Sequence, residues 1–363
     1  MKRLLMTALR HLEMDEGPPP QLPAGWVRLR MLASALGLTQ LQLLSGSTAT
    51  GRLPRVLGHE MVGIVSELGT GVAAPHIGAQ VVVDCLFGCG RCARCLEGSE
   101  VICPEYRMVG YTIDGGYAEE VVVPAANVFE LPPGTPPEEA VLLASALPSA
   151  VRAVRRAEVV PGARVVVVGA GSLGDLIAQV ARSQGASVVV ADIDGDRLED
   201  LRDHVDGAVL LGRDEAVPAA RSRLLAVAGV ERGAEVVFEA AGTRSALELS
   251  LAVTRPGGTL LAAGLPEGPL AFSNRSVREA VLDEVTIRGS FAYSRTDFPR
   301  VIELYRSGRV DLRSVMARPL RLADVPAQVD RMWREGTAGR RHPVLFGGPP
   351  PSVDDVGGPE NRG

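Results

Sequence analysis

The stretch Val165-Val166-Val167-Val168 runs directly into Gly169-Ala170-Gly171-Ser172-Leu173-Gly174, and an amphipathic pattern from Leu173 to Gln184 follows at once. Strand, glycine turn and helix in that order make the G-x-G-x-x-G unit that accepts a dinucleotide. The first glycine permits the tight turn, the second lets a pyrophosphate approach the backbone, and the third lets helix and strand pack closely. The helix N-terminus then faces the anion. The surrounding pattern agrees: Ser187 to Asp192 and Glu235 to Ala240 read as further apolar strands between helical stretches, which implies a parallel sheet with crossover helices.

The strand Ser187 to Ala191 ends at Asp192, about 20 residues beyond the glycines, where a carboxylate accepts hydrogen bonds from the ribose of NAD and repels the extra phosphate of NADP. NAD(H) is the expected cofactor, held by Gly169, Gly171, Ser172, Leu173, Gly174, Asp192 and Arg197. The bland alternative is that Asp192 is a solvated loop acid, since Asp194 and Asp196 lie beside it.

All five cysteines fall between Cys85 and Cys103. A secreted disulfide framework spreads its cysteines, so the clustering points to metal. Cys89, Cys92, Cys95 and Cys103 form C-x2-C-x2-C-x7-C, and four thiolates on one short loop close a tetrahedral shell around Zn²⁺. Such a shell leaves no open position, so one structural zinc per chain is expected, holding a loop and doing no chemistry.

With 363 residues, 46% of them hydrophobic, the chain is long enough for two domains. A net charge of −5 and scattered arginines exclude a nucleic-acid partner. No apolar run approaches the roughly 20 residues of a membrane span, and Met1 to Leu9 reads as a first strand of a cytoplasmic protein rather than a signal peptide. Short β-branched runs at Trp26 to Leu32, Met61 to Val65 and Gln80 to Asp84 make the first third mainly strand. Thr286 to Tyr293 returns to strand character, Phe298 to Ser307 reads as a helix packing back on the first module, and the Gly- and Pro-rich end is expected to be disordered.

Taken together with Gly58-His59-Glu60, Asp114-Gly115-Gly116-Tyr117-Ala118-Glu119, Arg255-Pro256-Gly257-Gly258 and Ile287-Arg288-Gly289-Ser290-Phe291, these motifs make the chain resemble the zinc-containing medium-chain dehydrogenase/reductase family, that of zinc alcohol and sorbitol dehydrogenases. The resemblance implies an α/β protein: a GroES-like β-rich catalytic domain over residues 1–146 with a zinc lobe at 85–103, a Rossmann doubly wound parallel sheet over 147–289, the rest of the catalytic domain over 290–347, and a tail at 348–363. It also implies a homodimer or homotetramer acting on a small molecule.

In that family the catalytic zinc is held by the cysteine of a G-[IL]-C-G-[ST]-D stretch, the histidine of G-H-E, and an acidic residue or cysteine before the Rossmann domain. Here the first stretch reads Ala35-Leu36-Gly37-Leu38-Thr39-Gln40, and the third ligand falls on Ser145. Only His59 and Glu60 remain, and catalytic sites normally use three protein ligands. The sequence therefore predicts no tightly bound catalytic zinc, with a rearranged site of His59, Glu60 and Cys85 as the alternative. Thr39 occupies the family's hydroxyl relay position. Thr39, His59, Glu60, Tyr111 and Ser145 are the candidate catalytic groups, suited to an electrophile already activated: a conjugated carbonyl, another activated C=O, or a C=N bond. Loops around Leu38 to Leu44, Cys85 to Phe87, Tyr111, Leu265 and Phe291 to Ser294 are expected to line an apolar pocket for a neutral substrate. Two other readings stay open: an alcohol or polyol dehydrogenase with a rearranged zinc site, and a redox-neutral or non-catalytic nucleotide-binding protein.

Overall fold

The computed structural model describes residues 1–48, 51–265, 274–336 and 339–347. The expected disorder of the tail falls outside these residues.

Two sheets carry the molecule. The first is a seven-stranded sheet built around β1 (Trp26–Leu36), which pairs antiparallel with β2 (Met61–Leu68). Alternation along β1 buries Val27, Leu29 and Met31, the inward side of a strand with period two. At its C-terminal end β1 turns at Gly37 into α1 (Leu38–Ser45). Leu41, Leu43 and Leu44 of that helix are buried in a core with Leu4 and Met6. Leu38, at the start of the helix, is exposed.

The second sheet is parallel and six-stranded. Its strands β3 (Arg164–Val168), β4 (Ser187–Asp192), Gly207–Leu210, β5 (Ala234–Glu239), β6 (Thr254–Ala262) and β7 (Thr286–Gly289) lie in the spatial order third, second, first, fourth, fifth, sixth. This is the doubly wound order, in which ligands bind where the order reverses, at the carboxyl ends of the first and fourth strands. Val165 to Val168 are at most 2% exposed, as befits a strand covered on both faces. Burying each such side chain contributes about 1.5–3 kcal/mol.

The strand expected over Thr286 to Tyr293 is shorter: β7 ends at Gly289, and Ala292 takes a left-handed φ of 47° that leaves the sheet direction. Helix Phe298–Arg306 does pack back on the first module, Phe298 stacking on Phe129 with ring centroids 4.3 Å apart. The last described strand, β8 (His342–Leu345), pairs antiparallel with β1 in a register that sets His342 opposite Leu36. Arg341 is thereby carried to Gly37. Among the described residues no helix is long and apolar enough to cross a membrane.

Candidate active site

The three fingerprint glycines differ in what surrounds them. Gly169 has a φ of 109°, where other residues are strained. At Gly171 an added Cβ would meet nothing within 4 Å, although Gly339 lies against the other side of its Cα, whereas at Gly174 it would run into the Gly169 carbonyl. Turn, bare backbone and close packing are thus divided as the motif demands. Helix Ser172–Ser183 begins at this turn. Its first N–H was expected to face an anion; Ser172 instead donates to the Gly339 carbonyl at 2.9 Å, as does its hydroxyl. Helix starts leave N–H groups that need acceptors, and the chain's own 339–341 loop supplies one. Leu173 is half-buried behind it.

Asp192 is buried, 7% exposed, and far from a solvated loop acid. Its two carboxylate oxygens accept from the N–H of Ala170 at 2.6 Å and of Asp194 at 2.9 Å. Arg197 stands 4.0 Å away and pairs with Asp194 at 3.2 Å. Each carboxylate oxygen keeps a second lone pair for a ribose hydroxyl.

In the cysteine lobe the Sγ atoms of Cys89, Cys92, Cys95 and Cys103 all lie within 4.8 Å of one another. Backbone N–H groups of Cys89 and Glu105 point at Cys103 Sγ, 3.4 and 3.3 Å away. Backbone hydrogen bonds from Arg91 and Cys92 pull the Cys89 thiol down to about 6. A loop that presents N–H groups to converging sulfurs is suited to thiolates, the form that binds metal; these four residues fit a tetrahedral Zn²⁺. Ser294 Oγ donates to the Gly98 carbonyl at 2.8 Å and clasps the lobe to the rest of the chain.

The expected catalytic residues fall into three groups. Thr39, His59 and Tyr111 come together: the Tyr111 ring stands edge-on to the His59 imidazole at 5.4 Å, and its hydroxyl faces Thr39. Burial drives the Tyr111 phenol well above its usual range and holds the His59 imidazole down at about 4, against the pull of Glu60. His59 Nδ1 meets Gln40 Nε2 at 2.8 Å. Glu60 points elsewhere, its carboxylate 1% exposed and accepting from Arg341 Nε at 2.8 Å. Removing Arg341 would strand the buried Glu60 carboxylate, at a cost of about 3–5 kcal/mol. Ser145 precedes helix Ala146–Arg156 half-buried, and among the described residues its hydroxyl has no hydrogen-bond partner.

The alternative ligand Cys85 is fully buried, its Sγ 3.0 Å from the Tyr293 hydroxyl, and burial raises its thiol far above the usual value. Among the described residues, His59, Glu60 and Cys85 do not converge as a ligand group; the four lobe cysteines do. Two residues escaped the sequence reading, Gln40 and Arg341. Gln40 carried a signal, because it stands where the family's stretch has Asp. Arg341 carried none, since only the pairing of β8 with β1 brings it to the site.

Next to Cys85, Asp84 is buried, and desolvation raises its carboxyl to about 8 although the Leu86 N–H, 2.9 Å away, pulls the other way. The folded state therefore keeps a proton that the unfolded chain releases from its usual 3.8 upward. Stability from this group is present at low pH and is lost as pH rises toward 8, at up to about 1.4 kcal/mol per pH unit. Asp84→Asn keeps an acceptor for Leu86, and is expected to flatten that slope and raise the urea midpoint at pH 8. An unchanged slope between pH 4 and 8 would show that Asp84 ionises in the folded protein.

The doubly wound sheet with its glycine turn is the architecture of a dinucleotide-dependent enzyme. Residues 23–133 match the alcohol dehydrogenase GroES-like domain and residues 172–307 the zinc-binding dehydrogenase domain. The chain is 30% identical over 302 residues to an alcohol dehydrogenase of Geobacillus stearothermophilus, covering 82% of this chain and 86% of that one. It is 34% identical over 272 residues to the L-galactonate-5-dehydrogenase of Escherichia coli K12, covering 75% and 77%. Galactitol-1-phosphate dehydrogenase from Escherichia coli has the same fold, with a TM-score of 0.88 at 24% identity over 95% of this chain and 100% of that one. The chain belongs to the zinc-containing medium-chain dehydrogenase/reductase family, whose members use NAD(P). It is an enzyme, an oxidoreductase acting on a small molecule.

Proposed function

We propose that this enzyme is an NAD(H)-dependent reductase of an activated double bond in a small neutral molecule, working without a catalytic zinc and carrying one structural zinc in the Cys89, Cys92, Cys95 and Cys103 lobe. One observation carries the reading. A Cβ at Gly37, where the family's first zinc ligand stands, would lie 3.3 Å from Arg341 Cγ, so the stem of an arginine fills the room a ligand side chain would use. The nearby residues do not fit a zinc ion: Glu60 is spent on Arg341, Cys85 on Tyr293, and Ser145 is a weak donor.

The fingerprint residues Gly169, Gly171, Ser172, Leu173 and Gly174, with Asp192 and Arg197, would hold the dinucleotide, which supplies hydride. The Asp192 carboxylate favours ribose hydroxyls over a phosphate by charge. His59, neutral across the physiological range, offers a hydrogen bond to the reacting oxygen, with half-buried Tyr111 packed edge-on against its ring. Residues 1–146 with 290–347 would form the catalytic part and 147–289 the cofactor domain. A second copy of the chain is the expected partner, for which edge strand β7 exposes Ile287.

The test is turnover of a conjugated aldehyde or ketone with NADH and with NADPH, after a chelator has stripped weakly held metal. Undiminished turnover, faster with NADH, is expected, with Asp192→Asn narrowing the difference between cofactors. Activity lost to the chelator and restored by Zn²⁺ would favour the alcohol or polyol dehydrogenase with a rearranged zinc site. Absence of turnover with either cofactor would remove conjugated aldehydes and ketones as its substrates.

A further inference from the structure

Gln40 is the third residue of α1 and is 1% exposed, so its amide is held in one place. Two contacts decide which way it faces. The Gly37 N–H donates to Gln40 Oε1 at 2.8 Å, and a backbone N–H can only donate. The carbonyl end of the amide is therefore turned to Gly37, and the NH₂ end to His59 Nδ1, also 2.8 Å away. Flipping the amide would set donor against donor at Gly37.

An amide nitrogen donates and does not accept. His59 Nδ1 must then present its lone pair, and in the neutral imidazole the proton sits on Nε2. That nitrogen has no hydrogen-bond partner among the described residues and is not among the polar atoms sealed from solvent without one. Metal-binding histidines have the opposite arrangement, donating one ring N–H to a carboxylate or carbonyl and turning the other lone pair to the ion. An aspartate at the end of the G-[IL]-C-G-[ST]-D stretch can accept that N–H; Gln40 stands in its place.

We propose that Gln40 is a positioning residue that locks His59 as the Nε2–H tautomer, converting a zinc-ligand position into a hydrogen-bond donor for a substrate oxygen. The inference rests on the zinc-free reading and narrows its substrate class. A neutral N–H donor stabilises oxygen that gains charge, as in a conjugated carbonyl or a ketone, and gives nothing to an iminium nitrogen, which has no lone pair to accept it. In the conjugated case the dinucleotide would supply the hydride taken up at the β-carbon, as the C=C π pair shifts toward the oxygen. His59 Nε2–H holds that oxygen, and the α-carbon takes its proton from water.

The test begins with ¹⁵N NMR of the histidine side chains in the full-length holoenzyme, His59 being assigned by the signal lost in His59→Gln. Wild type is expected to show a protonated Nε2 and a bare Nδ1. Gln40→Glu, nearly the same shape, presents a carboxylate to Nδ1 and is expected to move the proton there. With it kcat for a conjugated ketone should fall about 10²- to 10³-fold, the effect of losing one oxyanion donor, while KM for NADH stays unchanged. A proton on Nδ1 in wild type overturns the lock whether or not Gln40→Glu folds. A tautomer that moves in Gln40→Glu with kcat unaltered overturns the role of His59 at a substrate oxygen. If chelation abolishes turnover while the wild-type proton stays on Nε2, the zinc-free reading fails and the lock stands.

Discussion

His59→Ala is expected to lower kcat for a conjugated carbonyl by about 10²- to 10³-fold, the magnitude of removing one preorganised donor from a developing oxyanion. The KM for NADH should hardly move, because the fingerprint at Gly169 to Gly174 lies on the other sheet. The substitution also strands the Gln40 amide N–H, costing about 1–3 kcal/mol of stability, so thermal melting belongs beside the kinetics to separate a cold active site from an unfolded one. The pH dependence has a definite sign. Burial holds the imidazole at about 4, below its usual 6.5, so the unfolded chain takes up a proton first as pH falls. Stability from this group is complete above 6.5 and is lost toward 4, a loss that His59→Ala should remove. Full turnover in a folded His59→Ala enzyme would take the residue out of the mechanism.

Cys103→Ala should have a larger effect, confined to one place. The four Sγ atoms stand within 4.8 Å of one another on a loop whose helix spans only Ala93–Leu96. So short a segment cannot hold itself by packing, and structural zinc contributes roughly 10–16 kcal/mol to the folding of comparably small zinc-finger peptides. Zinc content is expected to drop from about one per chain to near none. The lobe should then open to proteases, while the parallel sheet keeps its circular dichroism. The clasp from Ser294 to Gly98 tells whether the damage spreads, since it ties the lobe to the segment carrying Tyr293. Zinc retained in Cys103→Ala, or a lobe still protected after its loss, would refute the four-thiolate site.

The residues legible from sequence are those whose chemistry is local. A run of valines ending in Gly169-Ala170-Gly171-Ser172-Leu173-Gly174 specifies strand, turn and helix within one stretch of chain, and the cysteine spacing specifies its own ligand shell. Both are in place in the structure. The substitution of Gly37 was equally readable, because it is a missing atom set in a known stretch.

What the chain does with that missing ligand depends on distance in sequence. The pairing of β8 with β1 brings Arg341 to Gly37 and Glu60, and no local pattern carries such a register. Cys85 read as a wall residue of the pocket or a spare ligand until Tyr293 was found against it. Glu60 reads as one of the candidate catalytic groups, and only the fold shows its carboxylate accepting from Arg341. The helix start after the glycine turn reads as an anion site, and in the structure its Ser172 N–H donates to the Gly339 carbonyl. The sequence by itself determined the two sheets, the glycine turn and the thiolate cluster, since each follows from short-range periodicity or spacing. Only the tertiary structure decided which nitrogen of His59 carries the proton, because that follows from the direction of one buried amide, set by a backbone N–H at Gly37 and an imidazole from the loop that precedes β2.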